Sequence, residues 1–200
     1  MPFDVIIPTH GRSDVLRRTL QAYLNLTIPE GLHDIHIVEN GDACGAEIIC
    51  EEFGKSLPTA YHYLKEAGLS GARNLGIEVS KADHLVFFDD DIVPMPNTLI
   101  SYCRAFTEHP NSAFFGGPVL PDYEVPPPAW LLKFLPLSAR GFELASSDIP
   151  LESPRLLGGN FAVARSALDT LGGFEGPSAT GSAGGGVGEE TRLQERFLQA

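Results

Sequence analysis

Short apolar runs alternate with amphipathic stretches along the first part of this chain. The apolar runs predict five strands, over residues 3–7, 35–38, 60–64, 85–88 and 113–115. Apolar residues spaced three or four apart predict helices between them, over residues 13–24, 46–53, 71–79 and 96–108, with Ser13 and Ser70 as caps of two of these helices. Strands that alternate with helices indicate βαβ units, and therefore an α/β fold with a mostly parallel sheet.

Polar residues follow three of these predicted strands: Thr9, the segment 39–42, and the run Asp89, Asp90 and Asp91. Ligands of open α/β sheets bind beyond the carboxyl ends of the strands, so the three groups should meet at one edge. Neighbouring carboxylates repel one another unless a cation shares their charge, and Mg²⁺ or Mn²⁺ suits such an oxygen-rich group. The aspartates therefore predict a metal and phosphate site, although a solvated acidic turn is the alternative on this segment alone.

The regular alternation ends near Gly116, and a long connection with several prolines reaches about Pro154. Its segment from Trp130 to Leu137 is strongly apolar and contains the only tryptophan of the chain. We favour a loop that packs these residues onto the sheet, with a patch facing the acceptor or a membrane surface as the alternative. Strand character returns over residues 156–164, and a glycine-rich stretch over 176–188, interpreted as a lid or a plain flexible loop, precedes a last helix.

Composition narrows the class of protein. The 200 residues suggest one domain, and a net charge of -12 without a Lys/Arg-rich run argues against nucleic acid as a partner. Three cysteines without a CxxC pair indicate a reducing compartment, and six histidines without HExxH spacing argue against a zinc site. No apolar run approaches the roughly 18 residues of a membrane span, and no signal peptide is visible. These features predict a cytoplasmic protein.

Two further segments could carry chemistry. Arg73 lies in the first turn of a predicted helix, where backbone N–H groups and the guanidinium favour a phosphate. The alternative is a helix start that packs closely through its glycines, and neither a Walker A loop nor a GxGxxG motif is present. Glu189 and Glu190 open the last helix, either as favourable charges at its N-terminus or as a general base.

Six segments, in order along nearly the whole chain, resemble family 2 glycosyltransferases of the GT-A fold. The Asp89–Asp91 segment resembles the DXD metal motif of that family. The resemblance implies a Rossmann-like three-layer α/β/α fold over residues 1–200, with a nucleotide-binding half at 1–116 and an acceptor-side half at 117–200. The six segments are residues 5–12, 38–42, 71–76, 88–92, 158–165 with 171–175, and 188–191.

The resemblance implies an inverting transfer of a sugar from a nucleotide-diphosphate donor, with a UDP-sugar as the first expectation. The acceptor would be a hydroxyl of a saccharide or lipid-linked molecule, in polysaccharide or glycoconjugate synthesis. Mn²⁺ or Mg²⁺ would be held by Asp91, our preferred ligand, together with Asp89, and would act as a Lewis acid. The implied donor-binding residues are Pro8, Thr9, Arg12, Glu39, Arg73, Asp89 and Asp90.

By the same resemblance, Glu190 would be the base that deprotonates the acceptor hydroxyl. The family more often has Asp at that position, so Glu189 and Glu190 could exchange roles. The family usually continues after this helix with a strand that carries a histidine, whereas this sequence ends at Ala200. Either that part is missing here or the protein does without it. The alternative function is a catalytically silent nucleotide-sugar binding domain, and the alternative location is the inner face of the membrane, reached through residues 130–137.

Overall fold

A six-stranded sheet forms the centre of the computed structural model, which describes residues 1–143, 150, 152–153, 156–175 and 188–200. The strand order is β3-β2-β1-β4-β6-β5. Strands β1 to β4 pair in parallel, and β6 runs antiparallel to both of its neighbours. The predicted mostly parallel sheet is therefore confirmed. The strands are β1 (Phe3–Thr9), β2 (Leu32–Asn40), β3 (Thr59–Leu64), β4 (His84–Phe88), β5 (Phe114–Gly116) and β6 (Asn160–Ala164).

Helices cover both faces of the sheet. One face packs its apolar side chains against α1, α2 and α4, and the other packs against α3, α7 and α8. This arrangement confirms the expected three layers. The helices are α1 (Ser13–Tyr23), α2 (Ala46–Phe53), α3 (Leu69–Val79), α4 (Thr98–Glu108), α5 (Ala129–Leu132), α6 (Leu137–Arg140), α7 (Arg165–Leu171) and α8 (Glu189–Gln199).

The central strand β1 is buried along its whole length. Successive side chains of a strand point to opposite faces, so Val5 packs with α1 and α4 while Ile6 packs with α3. Helix α3 approaches this strand so closely at Gly76 that an added Cβ would lie only 2.5 Å from Cγ2 of Ile6. This close packing fixes the position of α3 and thereby of the Arg73 side chain near its start.

Three predicted boundaries are wrong. Ser13 does not cap α1: its Oγ donates a hydrogen bond to the carbonyl of Cys44 and so ties α1 to the loop before α2. Ser70 does not cap α3 either, because the helix already begins at Leu69. The strand predicted from residue 156 begins only at Asn160, because the backbone turns at Gly158 and Gly159 just before it.

The connection after β5 contains the two short helices α5 and α6. The interpretation of this segment as a loop packed on the sheet is wrong for its two largest side chains, since Trp130 is 65% exposed and Phe134 is 70% exposed. Within the described ranges, no helix has both the length and the apolar character to cross a membrane. The glycine-rich stretch lies outside the described residues up to residue 187.

Candidate functional site

Three loops meet at the carboxyl ends of β1, β2 and β4, and hydrogen bonds join them. Thr9 Oγ1 donates to Asp90 Oδ2 at 2.7 Å. Asn40 Nδ2 donates to the carbonyl of Thr9 at 2.8 Å, and Asn40 Oδ1 accepts from the amide of Gly68 at 2.8 Å. The convergence expected from the parallel topology is therefore confirmed. It also brings the start of α3 to the same edge of the sheet.

Asp90 holds these loops together rather than projecting from them. Its side chain is fully buried, and its two carboxylate oxygens accept hydrogen bonds from Thr9 and from Arg12. Its carbonyl accepts from Thr19 Oγ1 at 2.5 Å. Burial raises the pKa of Asp90, while the Thr9 hydroxyl and the Arg12 guanidinium act in the opposite direction. Asp90 therefore positions both of its neighbours in the acidic run.

Asp89 and Asp91 remain accessible on either side of Asp90, with side chains that are 33% and 52% exposed. Asp89 Oδ1 accepts from Arg73 at 2.9 Å, and Asp91 Oδ2 accepts from Arg12 at 3.2 Å. Burial raises the pKa of Asp89 most; Arg73 opposes this effect, and the negative charges of Asp91 and Glu190 add to it. A bound cation would stabilise the ionised form of Asp89 against burial and against the neighbouring negative charges. The pair of Asp89 and Asp91 therefore suits a hard divalent ion.

Arg73 is the largest fully buried side chain of the site, at 1% exposure. Nη2 donates to Asp89 Oδ1 and to the carbonyl of Gly158, both at 2.9 Å, and Nη1 donates to Glu189 Oε1 at 3.0 Å. The guanidinium carbon also lies 5.5 and 5.3 Å from the ring centres of Phe161 and Phe174, within the range of cation–π attraction. The guanidinium therefore joins the acidic run to β6 and α8, and these contacts use the donors expected to reach a phosphate.

The structure separates the two glutamates that sequence left interchangeable. Glu189 is 1% exposed and bound to Arg73, and burial raises its pKa against the effect of that guanidinium. Glu190 is half-buried, and a Cβ on Gly158 would lie only 3.3 Å from its Oε2. Across the described part of the chain, no hydrogen bond or ion pair involves the Glu190 carboxylate. Glu189 thus has a fixed partner, whereas Glu190 keeps a carboxylate available for proton transfer.

Glu39 is also buried and bonded within the protein. Its Oε1 accepts from the amides of Cys44 at 2.6 Å and Ala46 at 3.4 Å, and its Oε2 accepts from the Tyr61 hydroxyl at 2.7 Å. Burial, followed by the bond to Glu39, raises the pKa of Tyr61. Through these contacts, Glu39 on β2 is bonded to β3 and to the start of α2.

A cavity of about 150 Å³ opens at this edge of the sheet. It is lined by the predicted donor-binding residues Pro8, Thr9, Arg12, Asp89 and Asp90, and by His10, Asn40 and Leu69, which the sequence did not single out as donor-binding residues. His10 and Asn40 lie where β1 and β2 end, and this position in the sequence could have identified them as lining residues.

The turn after β2 depends on a glycine that faces His10. His10 Nδ1 lies 2.6 Å from the carbonyl of Asn40, which can only accept, so Nδ1 carries the proton. At Gly41, with φ of 80°, an added Cβ would lie 2.5 Å from the His10 ring. A glycine here therefore allows the imidazole to close one wall of the cavity.

Comparison with known proteins gives a consistent result. The model of "Glycosyl transferase family 2" matches residues 4–172. The minor teichoic acid biosynthesis protein GgaB of Bacillus subtilis is 28% identical over 111 residues, which are 54% of this chain and 12% of that protein. The glycosyltransferase AglE of Haloferax volcanii is 33% identical over 101 residues, 47% of this chain and 32% of that protein. The matched part thus spans less than a third of either relative.

Solved structures agree on the fold. The mannosyltransferase PcManGT from Pyrobaculum calidifontis, in complex with GDP-Man and Mn²⁺, has a TM-score of 0.63 at 19% identity, covering 91% of this chain and 49% of that one. S. aureus TarS 1–349 in complex with UDP-GlcNAc has a TM-score of 0.68 at 18% identity, covering 98% of this chain and 53% of that one. The sheet and its two helical layers are those of the GT-A fold, and the chain belongs to glycosyl transferase family 2.

Proposed function

We propose that this chain is an inverting, metal-dependent glycosyltransferase that moves a hexosyl group from a nucleotide-diphosphate donor to an acceptor hydroxyl. The observation that carries the proposal is the arrangement around Arg73. Its guanidinium holds Asp89 on one side and Glu189 on the other, and the adjacent Glu190 carboxylate lies beside Gly158, close enough to Asp89 to raise the pKa of that aspartate. A leaving diphosphate and a general base require this juxtaposition.

Asp91 and Asp89 would hold Mn²⁺ or Mg²⁺, and the bound cation would supply positive charge for the leaving diphosphate. Their exposed oxygen ligands and the raised pKa of Asp89 fit that role. Arg12 is half-exposed, so it can turn from Asp91 toward a phosphate when the carboxylate takes a cation. The Mn²⁺ in the PcManGT complex supports the same choice of metal.

Residues 1–116 would bind the nucleotide, with Pro8, Thr9 and Glu39 shaping the nucleoside end of the cleft. Thr9 and Pro8 line the cavity beside Asp89, and Glu39 fixes the turn that carries Asn40. We propose a UDP-sugar as the donor, supported by the TarS complex with UDP-GlcNAc. Because PcManGT binds GDP-Man, GDP-sugars are the donors against which UDP-sugars should be compared.

Glu190 would act as the general base. Its carboxylate takes the proton of the acceptor hydroxyl while that oxygen attacks the anomeric carbon from the face opposite the diphosphate. The bond from the anomeric carbon to the phosphate oxygen breaks as the new glycosidic bond forms, which inverts the anomeric configuration. Glu189 is assigned a positioning role, because its one bonded oxygen is committed to Arg73.

Residues 117–200 would meet a saccharide or lipid-linked acceptor in polysaccharide or glycoconjugate synthesis. The role of GgaB in minor teichoic acid biosynthesis supports this class of acceptor. The exposed rings of Trp130 and Phe134, with Lys133 5.1 Å above the second ring, suit the surface of an anionic membrane. We therefore propose peripheral contact with the inner face of the membrane through residues 130–137.

The proposal is tested by release of nucleoside diphosphate from a panel of UDP- and GDP-sugars with acceptor present. Release should require Mn²⁺ or Mg²⁺ and stop with EDTA. Asp91→Asn should abolish the metal-dependent part of donor affinity in calorimetry, because it removes a charge that the cation needs. Unchanged Mn²⁺-dependent affinity in Asp91→Asn would show that the metal assignment is wrong.

A catalytically silent nucleotide-sugar binding domain is the second candidate, favoured by the small share of each curated relative that this chain matches. The same assay separates the two functions. Metal-dependent donor binding without turnover of any donor would support the silent domain and contradict the enzyme.

A further inference from the structure

A second polar cluster lies at the opposite edge of the sheet, near the amino ends of β1 and β2. Ligand atoms of Asp4, Asp34 and His36 all lie within 4.8 Å of one another. Asp4 precedes Thr9 by five residues on the same strand, which separates the cluster from the donor site by roughly 16 Å at about 3.3 Å per residue. No residue of this cluster has a role in the proposed transfer.

The hydrogen bonds around the cluster hold two of its members in fixed orientations. Asp4 and His36 are buried, and His36 Nε2 lies 3.2 Å from Asp4 Oδ2. Asp4 Oδ2 also accepts from Ser80 Oγ at 2.5 Å, and its Oδ1 accepts from the amide of Asp34 at 3.1 Å. Both groups are thus placed by their neighbours before any ligand arrives.

His62 supplies a hydrogen-bond partner for the ring nitrogen of His36 that faces away from the carboxylates. Its Nε2 lies 3.0 Å from Nδ1 of His36. With the Nδ1–H tautomer of both rings, His36 donates to His62, and its Nε2 lone pair faces the carboxylates. Without a cation, the Nε2–H tautomers let His62 donate to His36 and His36 donate to Asp4. Switching between these two pairs of tautomers moves protons between ring nitrogens and leaves both rings neutral.

A simple buried ion pair does not account for the third member. The pair between His36 and Asp4 needs one carboxylate, yet the carboxylate of Asp34 lies in the same small volume. A cavity of about 250 Å³ adjoins these groups, and His33 lines it as a further possible ligand. Among the residues that the structure describes, Lys81 is the one Lys or Arg that lines this cavity, so the two carboxylates outnumber it.

We propose that Asp4, Asp34 and His36 bind a zinc-class divalent ion that joins the starts of β1 and β2. Imidazole combined with carboxylate oxygens suits Zn²⁺, and the His36–His62 contact gives the second ring nitrogen of His36 a hydrogen-bond partner, as metal-bound histidines require. The ligands come from two strands that pair side by side, so the linear spacing that marks a helical zinc motif is not expected. The proposal does not depend on the glycosyltransferase assignment.

Calorimetric titration of the metal-free chain with Zn²⁺, without nucleotide, tests the site. We expect one Zn²⁺ per chain at this cluster and at least a ten-fold loss of affinity in His36→Gln. Because His36 is buried and its variant could fail to fold, Asp34→Asn at an exposed position provides the second test, with the same expected loss. His109→Gln on an exposed loop is the matched control and should leave the affinity unchanged.

The two metal sites can be distinguished by Asp91→Asn, which should retain this Zn²⁺ affinity. Co²⁺ bound to the wild-type chain should give a visible absorption band that is lost in Asp34→Asn and kept in Asp91→Asn. Equal Zn²⁺ affinity in the wild type and Asp34→Asn, or a loss found only with Asp91→Asn, would overturn the proposal.

His62 is a positioning residue, and its variants separate that role from a purely structural one. His62→Leu removes the acceptor for Nδ1–H of His36 and should weaken Zn²⁺ binding about 10–100-fold. His62→Gln keeps an acceptor and should restore most of the affinity. Equal affinity of the Leu and Gln variants would show that His36 does not use this bond to bind metal.

Discussion

The two halves of the chain differ in how they contribute to the site. Up to Gly116, strands and helices alternate, and each polar turn sits where a parallel strand ends. Beyond it, the described residues form one strand and four helices, of which α8 carries Glu189 and Glu190, and a large apolar segment lies exposed. Arg73 from the first half binds Gly158 and Glu189 from the second. The regular half thus builds most of the cleft. The pairing of β4 with β6 attaches the irregular half to it, and at the site the Arg73 guanidinium adds a buried attachment to Gly158 and Glu189.

The largest effect is expected from breaking that attachment. Arg73→Met leaves Asp89 and Glu189 near one another without their cation, and loss of one partner from a buried ion pair costs about 3–5 kcal/mol. The free energy of unfolding in urea should fall by that amount, and transfer activity should be lost with it.

Arg104→Met is the matched control, because Arg104 makes an exposed pair with Glu108 at 3.5 Å within α4. Such pairs contribute about 0–1 kcal/mol. A similar loss of stability in both variants would contradict the view that the Arg73 contacts help to hold the two halves together at the site.

A second test removes the proposed general base and leaves the contacts of Arg73 intact. Glu190→Gln keeps the shape of the side chain but cannot take a proton, so kcat should fall about 10²–10⁴-fold. Donor affinity should stay the same, because the carboxylate has no bonded partner among the described residues. Glu195→Gln, at an exposed position on the same helix, should keep the wild-type rate. Full activity of Glu190→Gln would remove the proposed base.

Much of the first half follows from local pattern and parallel topology. Apolar runs located the five strands up to residue 116, and the rule that parallel strands present their carboxyl ends together brought Thr9, Asn40 and Asp90 to one edge. The capping positions could not be read in the same way. Ser13 bonds to a loop 31 residues away, a contact that only the folded chain creates.

The partners of Arg73 were beyond sequence reasoning for a related reason. They lie 16, 85 and 116 residues away, and nothing in the helix start specifies them. The rings of Phe161 and Phe174 cover the guanidinium and thereby favour bonds within the protein. The distinction between Glu189 and Glu190 depends on that same contact, so two adjacent identical residues looked interchangeable until the fold was known.

A smaller effect should appear in the pH dependence of stability. Burial raises the pKa of Glu189 in the folded protein above its unfolded value, so the folded state holds more protons between the two values. Stability should therefore fall as pH rises from about 4.5 through the raised pKa. Glu189→Gln should flatten this slope in urea denaturation measured from pH 4.5 to 7. An unchanged slope would show that Glu189 is not the group responsible.

The smallest effect on folding is expected from the exposed segment of the second half. Trp130→Ser with Phe134→Ser should change the free energy of unfolding by no more than about 0.5 kcal/mol, because both rings are largely in solvent. Sedimentation with anionic lipid vesicles should nevertheless fall several-fold, since the two rings and Lys133 form the proposed contact. Val125→Ser changes another exposed apolar residue of the same connection and serves as the control. A large loss of stability in the double variant would mean that the segment supports the fold, and the contrast between the two halves would then weaken.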